Sequence, residues 1–168
     1  AVAAAIVANT ALAVTATAAA GVVTVTATAK GEVGNYIDMR HSYYTGEALP
    51  AGLGLVITAM AGGTGNPSVQ PALDLIGDEW FTDIVIPWSD AGNLAAFEAK
   101  LVANFGPMKA IDTHGWIGAS GVFSTLATLG SSRNSPHISI IGIKASPTPP
   151  WEWAAALAGI AAYHLDID

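Results

Sequence analysis

The 168-residue sequence contains no cysteine, which excludes disulfides, zinc–thiolate centres and thiol catalysis. Charge is scarce: Asp, Glu, Lys and Arg make up 11% of the residues, and six basic residues against 13 acidic ones give a net charge of −7. The six cations stand apart, so no basic cluster exists to neutralise phosphates, and nucleic-acid binding is not expected. Residues 1–29 carry no charged side chain, but Thr10, Thr15, Thr17, Thr24, Thr26 and Thr28 interrupt them and Gly21 breaks them. The stretch therefore fails as a membrane span, and it lacks the basic start of a secretory signal. The apolar run Ala154–Tyr163 is too short to cross a bilayer and ends at His164 and Asp166.

What is present is apolar. Hydrophobic residues make up 52% of the chain, so either much of it is core or part of its surface is covered by neighbours. Up to Pro50 the pattern is an alanine-rich helix followed by short alternating strands at Leu12–Thr17, Val22–Thr28 and Ile37–Tyr44, with turn residues between. This reads as a small α+β unit with antiparallel strands over 1–50. From Leu55 the rhythm becomes strand, loop, helix. Four apolar runs, Leu55–Met60, Phe81–Ile86, His114–Ser120 and Ile138–Ala145, are too continuous to have a solvated face, and they recur at about the 30-residue spacing of βαβ units. An α/β domain over 51–168 is expected, with a mostly parallel sheet flanked by helices.

The helix ends carry recognisable signals. Ser89 or Asp90 caps a helix whose Leu94, Phe97, Leu101 and Phe105 form an apolar stripe, and Gly106–Pro107 stops it. A shorter helix over Gly121–Leu129 is expected to end at Gly130. In the last helix Thr148 is the expected N-cap and Pro149 the first helical residue, with Trp151–Leu165 following.

Candidate chemistry is thin. Gly118–Gly121 (GASG) puts Ser120 at a strand-to-helix junction, but a nucleophile elbow needs G-x-S-x-G and Val122 occupies the last glycine position. Asp112, His114, His137 and His164 offer partners in several orders without supporting local context, and Ser120 reads instead as a helix cap. The loop Gly62–Pro67 (GGTGNP) lacks the Lys and spacing of a phosphate-binding loop and reads as flexible. Asp74, Asp78, Glu79 and Asp83 match no calcium loop and read as solvated charge, while His41, His114, His137 and His164 show no metal-ligand spacing. Catalytic, cofactor-binding and metal residues are thus all expected to be none. Arg133 either ties its loop to nearby carbonyls or a carboxylate or contacts a neighbouring subunit. Trp151 and Trp153, two positions apart, cannot face the same way on a helix; Trp153 is expected inside the domain and the other at a boundary.

Leu126–Gly159, LATLGSSRNSPHISIIGIKASPTPPWEWAAALAG, places rare residues in a fixed order, and Gly34–Arg40, Leu49–Pro67, Gly77–Leu101 and Phe105–Gly121 continue the same character. Together they resemble the tail sheath subunits of Mu-like contractile phages and prophages. The resemblance implies a structural part of a phage tail with a Rossmann-like or subtilisin-like core but no catalytic triad, and no cofactor. It implies other copies of itself, the tail tube and the baseplate as partners, and a virion location after assembly in the host cytoplasm. Such subunits are several times longer and are joined largely by extended arms, so an internal fragment is expected here, monomeric by itself. Two rival expectations stand beside it: an enzyme, either an α/β hydrolase using Ser120 or a nucleotide-binding domain using Gly62–Pro67, and a secreted adhesion or binding module, suggested by the Thr- and Ala-rich β start and the acidic charge.

Overall fold

A computed structural model describes residues 1–165 and divides the chain into two units, Ala1–Asn66 and the residues from Pro67 onward. In the first unit a short helix α1 (Val2–Ala8) precedes a hairpin of β1 (Val14–Ala19) and β2 (Val22–Ala27), paired antiparallel with Ala19 opposite Val22. The threonines and valines of this hairpin supply β-branched side chains suited to a pleated surface. Its two-residue turn has φ of 48° at Ala20 and 79° at Gly21, the double positive φ of a type I′ turn, which matches strand twist but burdens an alanine. A 3₁₀ turn, Glu32–Tyr36, follows.

Two strands expected in this part of the sequence are not formed. Ile37–Tyr44 is irregular, interrupted by Ser42 at a φ of 55°. Leu55–Met60 belongs to no strand, and Leu55, Val56 and Ile57 are exposed rather than sheathed on both faces. Downstream of it, Asn35 bonds Gly63 in both directions (Gly63 N to Oδ1, 2.8 Å; Nδ2 to Gly63 O, 3.0 Å), and the Glu32 amide donates to Asn66 Oδ1 at 2.7 Å. These bonds hold the segment to the first unit, where the sheet among the described residues is the β1–β2 hairpin. Burial in this unit is slight: Ala3, Gly31 and Gly34 are its buried residues.

The second unit is an α/β sandwich. Helix α2 (Gln70–Ile76) leads to β3 (Asp83–Ile86), α3 (Ala91–Phe105), β4 (His114–Ser120), α4 (Phe123–Ser132), β5 (Ile138–Ile143) and α5 (Pro150–Leu165). The strands form a parallel sheet in the order β3-β4-β5, with Ile86 beside Ile117 and Ile117 beside Ile140. With the antiparallel hairpin before it, this is the α/β class read from the sequence. One sheet face carries Ile84, Ile86, Ile117, Ile138 and Ile140 and packs with Val69, Leu73, Leu94, Phe97 and Leu101 of the α2 and α3 side into the core. Asp90 caps α3 by accepting from the Asn93 amide at 3.1 Å. Buried Asn93 in turn accepts from Val69 N (2.8 Å) and donates to Pro67 O (3.0 Å), so the two helix starts are laced together.

The opposite face receives α5, which buries Ala154 and Ala158. Close approach depends on β4. A Cβ at Gly118 would fall on the Pro150 carbonyl, while on the other face a Cβ at Gly115 would lie 2.5 Å from Phe97 Cε1. The central strand is thus thinned by one glycine toward each helix layer.

Three helix details depart from expectation. Phe105 ends the α3 stripe exposed instead of buried. Helix α4 runs through Gly130 to Ser132, because the hydroxyls of Ser131 and Ser132 donate to the Ala127 and Leu129 carbonyls and satisfy the final turn. Helix α5 starts at Pro150, one residue later than expected; proline still fills the first position, but Ser146 rather than Thr148 makes the polar contacts, accepting from the Thr148 amide at 3.0 Å. Asp166, expected to close the last apolar run, lies outside the described residues.

Two outcomes check this packing. Gly118→Ala is expected to destabilise the second unit by about 1–3 kcal/mol, because backbone cannot step aside as a side chain can; a chemical-denaturation midpoint equal to that of the unmodified protein would contradict it. Ala20→Asn is expected to raise hairpin stability by roughly 1 kcal/mol, since asparagine accepts the left-handed conformation that alanine resists. Amide hydrogen exchange of residues 14–27 reads that gain directly.

Candidate functional site

The residues singled out for chemistry are scattered, and most are engaged in holding the fold. Ser120 is the exposed last residue of β4. It does not cap α4: the N-cap position falls on Val122, which has no side-chain oxygen to offer. His114 shares the strand with Ser120 but lies six positions away, about 20 Å along an extended chain. Its Nε2 is instead 2.9 Å from Ser139 Oγ on β5.

Around that contact lies the densest polar cluster of the sheet. Asp83, at the start of β3 and opposite His114, accepts a 2.7 Å bond from Trp116 Nε1, and the His114 and Trp116 rings meet edge to face at 4.8 Å. Asp83 is therefore a strand residue tied to an indole, not one of a group of solvated acids. Asp78 pairs with Lys109, and that hydrogen bond and charge hold its carboxyl below the usual carboxylate range. Asp74 accepts from Gln70 Nε2 at 2.7 Å, and Glu79 is exposed. Of the other histidines, His137 stacks on Phe105 at 4.8 Å, His41 contacts Ser42, and His164 meets Tyr163.

Arg133 bridges two elements. Its Nη1 donates to Glu98 Oε2 and its Nη2 to the Ala91 carbonyl, both at 3.1 Å, joining the end of α4 to α3. That is the carboxylate-and-carbonyl role, and both partners are largely shielded from water, with side-chain exposures of 16% and 22%. The tryptophans reverse their expected places. Trp151 is half-buried on the stripe it shares with Ala154 and Ala158, while Trp153 is 46% exposed and donates to Ser146 Oγ at 3.1 Å. The physical reason is helical register: residue 151 precedes Ala154 by three positions and falls on the stripe that α5 buries, whereas residue 153 falls off it and reaches Ser146.

Among the large apolar side chains that the second unit exposes, two groups lie at the two ends of its parallel strands, while Leu75, Val102, Trp153, Ile160 and Tyr163 stand on the helices. Before the strands, Trp80 (65% exposed) and Phe81 precede β3, and Phe105 and Met108 (94%) lie in the approach to β4. Contacts across the three strand entrances connect them: Trp80 Nε1 donates to the Asp112 carbonyl at 2.9 Å, Thr113 Oγ1 to the Phe81 carbonyl at 2.6 Å, and Phe105 rests on His137 just ahead of β5. At the strand exits Val122 and Phe123 (83%) stand free. Sequence reasoning missed these patches because their residues fall in connections or at the last or first position of a helix, where periodicity no longer marks a side chain as inward or outward. Among the described residues no group of His, Asp and Glu gathers to hold a metal ion, and no helix is long and apolar enough to cross a membrane.

Comparison with known proteins identifies a relative. Over 155 residues, 92% of the chain, the sequence is 38% identical to the Mu-like prophage FluMu tail sheath protein of Haemophilus influenzae. The chain is a homologue of a Mu-like tail sheath protein. It spans 32% of the length of that relative, and no family model matches it. The resemblance read from Leu126–Gly159 is thereby borne out. In this tail sheath homologue the conspicuous RNSPH segment has a structural task, since its Arg133 fastens α4 to α3. SPTPPWEW likewise delivers α5 onto the central strand.

Arg133→Ala is expected to lower stability by about 1–3 kcal/mol, between the value of an exposed pair and that of a buried one, because Glu98 would keep its charge without a partner. Glu98→Gln in the same background should recover part of the loss. An additive double mutant, measured by thermal or chemical denaturation, would show that the two side chains do not act together.

Proposed function

We propose that the chain is part of a structural subunit of a contractile phage tail sheath, which polymerises around the tail tube and contracts to drive genome delivery. The observation that supports this reading is the 38% identity extending across 92% of the chain to a protein named as a Mu-like prophage tail sheath protein. The arrangement of the second unit is in keeping with it: polar side chains such as Asp90, Asn93, Trp116 and Arg133 are spent on lacing strands and helices, and large apolar side chains remain exposed at the strand ends. On this reading the partners are other copies of the subunit, the tail tube and the baseplate, with no cofactor, nucleic acid or membrane among them. The location is the virion tail, after assembly in the host cytoplasm. The subunit is not an enzyme. Its domain plan is a small α+β part over 1–50 followed by the α/β sheath core over 51–168.

The enzyme alternative has less support. Ser120 stands far along the strand from the histidine beside it, and the Gly62–Pro67 loop spends donors and acceptors on Asn35 and Glu32. Electron microscopy of the longer protein in which this reading places the chain should show tubes or rings. The isolated 168-residue chain should sediment near 17.0 kDa at micromolar concentration. Failure of the longer protein to assemble under any salt condition would reject the sheath reading, as would a saturable thermal shift with ATP or ester turnover abolished by Ser120→Ala.

A further inference from the structure

Two of the exposed apolar groups of the second unit sit at opposite ends of one parallel sheet, and this placement has a symmetry consequence. A single self-complementary patch closes a two-fold dimer and then stops. Two different patches at opposite poles support a heterologous contact, which repeats without end as a ring or filament. We propose that the strand-entrance patch, centred on Trp80, Phe81, Phe105 and Met108, docks on the strand-exit patch, centred on Val122 and Phe123, of a second copy of this chain. The proposal rests on the sheath reading for its occupant and adds to it a directional, head-to-tail contact between the bodies of neighbouring subunits.

Charge favours that partner over an unrelated one. The second unit has four cations, Lys100, Lys109, Arg133 and Lys144. Lys100 donates to the Gly77 carbonyl, Lys109 pairs with Asp78 and Arg133 with Glu98. Lys144, exposed one residue beyond β5, makes no ion pair among the described residues, and it stands at the strand exits. Glu79 and Asp112, exposed at the strand entrances, are likewise without an ion pair among the described residues. An entrance patch bordered by free acids thus faces an exit patch bordered by a free lysine when one copy is set on the next. Asp90 at the exits is occupied in capping α3, and Glu152 lies in the first turn of α5, where the helix dipole favours it.

Size sets the strength. Four side chains on one partner and two on the other cover at most about a few hundred Å² per partner, below the roughly 800 Å² per side of a stable complex. The contact is therefore weak between free chains and becomes effective when many copies are held together, as in a polymer. It can break and re-form without unfolding either body, because both patches lie on loops and helix termini outside the sheet.

The test uses the 168-residue chain and two single substitutions at exposed positions, Met108→Asp in the entrance patch and Phe123→Asp in the exit patch. Aspartate at the first residue of α4 is compatible with the helix dipole. Sedimentation of the unmodified chain is expected to give monomer at about 10 μM and a rising average mass toward about 1 mM, as an interface of this size requires. Each variant alone should stay monomeric across that range. An equimolar mixture should form a dimer and nothing larger, since one variant keeps an intact exit patch and the other an intact entrance patch. Thermal midpoints within a few degrees of the unmodified chain certify folding; should either variant be unfolded, Phe105→Asp or Val122→Asp replaces it at the same patch. A chain that stays monomeric to the highest concentration overturns the inference, as does self-association of the Phe123→Asp variant, which would mean a two-fold contact through the entrance patch. Tubes formed by the longer protein while these chains show no association would remove this inference and leave the sheath reading standing. Rim-dependent association with a longer protein that never assembles would do the reverse.

Discussion

The second unit depends on how near two helix layers can come to one strand. β4 is central, hydrogen-bonded on both sides, and flanked by α3 on one face and α5 on the other. Gly115 yields to Phe97 and Leu101, Gly118 to Pro150. With the strand reduced on alternate faces, Ile117 between them fills the α3 side completely and Ala154 seats α5 without an aromatic spacer. Hydrophobic burial supplies the favourable energy, at about 25 cal/mol per Å² of apolar surface removed from water, but the glycines decide which surfaces can meet. The prolines before α5 and the Asp90–Asn93 network before α3 then fix where each helix begins.

The first unit is organised differently. A two-stranded hairpin is marginal in isolation, and the burial around it is confined to an alanine and two glycines. Order there comes from local hydrogen bonds, chiefly those joining the Glu32–Tyr36 turn to Gly63 and Asn66. Such bonds contribute about 1 kcal/mol each, so this part of the chain stands at the low end of local stability while the sheet core stands at the high end.

Much of the architecture was legible in the sequence. The β1–β2 hairpin, β4, β5 and the helix from Ala91 to Phe105 announce themselves through alternation, continuous apolar runs, and an Asp cap paired with a Gly-Pro stop. The failures have one cause in common. Leu55–Met60 has a strand's composition, but a strand requires a partner edge, and composition says nothing of which edges lie within reach. Trp151 and Trp153 obey helical geometry equally well; which one turns inward depends on which stripe of α5 the sheet takes, and it takes that of Ala154 and Ala158. Phe105 fits the α3 stripe by spacing, yet it falls past the end of the sheet beneath it. The candidate surface was least legible of all, because it is assembled from the ends of elements distant in sequence.

β3 and β5 each pair on one side, and among the described residues no strand covers their outer flanks. Open flanks leave rows of amide and carbonyl groups that water satisfies when the chain is dilute, yet any extended peptide can displace that water. In a chain this poor in charge, the danger is not loss of the fold but indiscriminate sticking while those flanks stand open. Raising the stability of the fold would not remove that danger, because the flanks are open in the folded state itself.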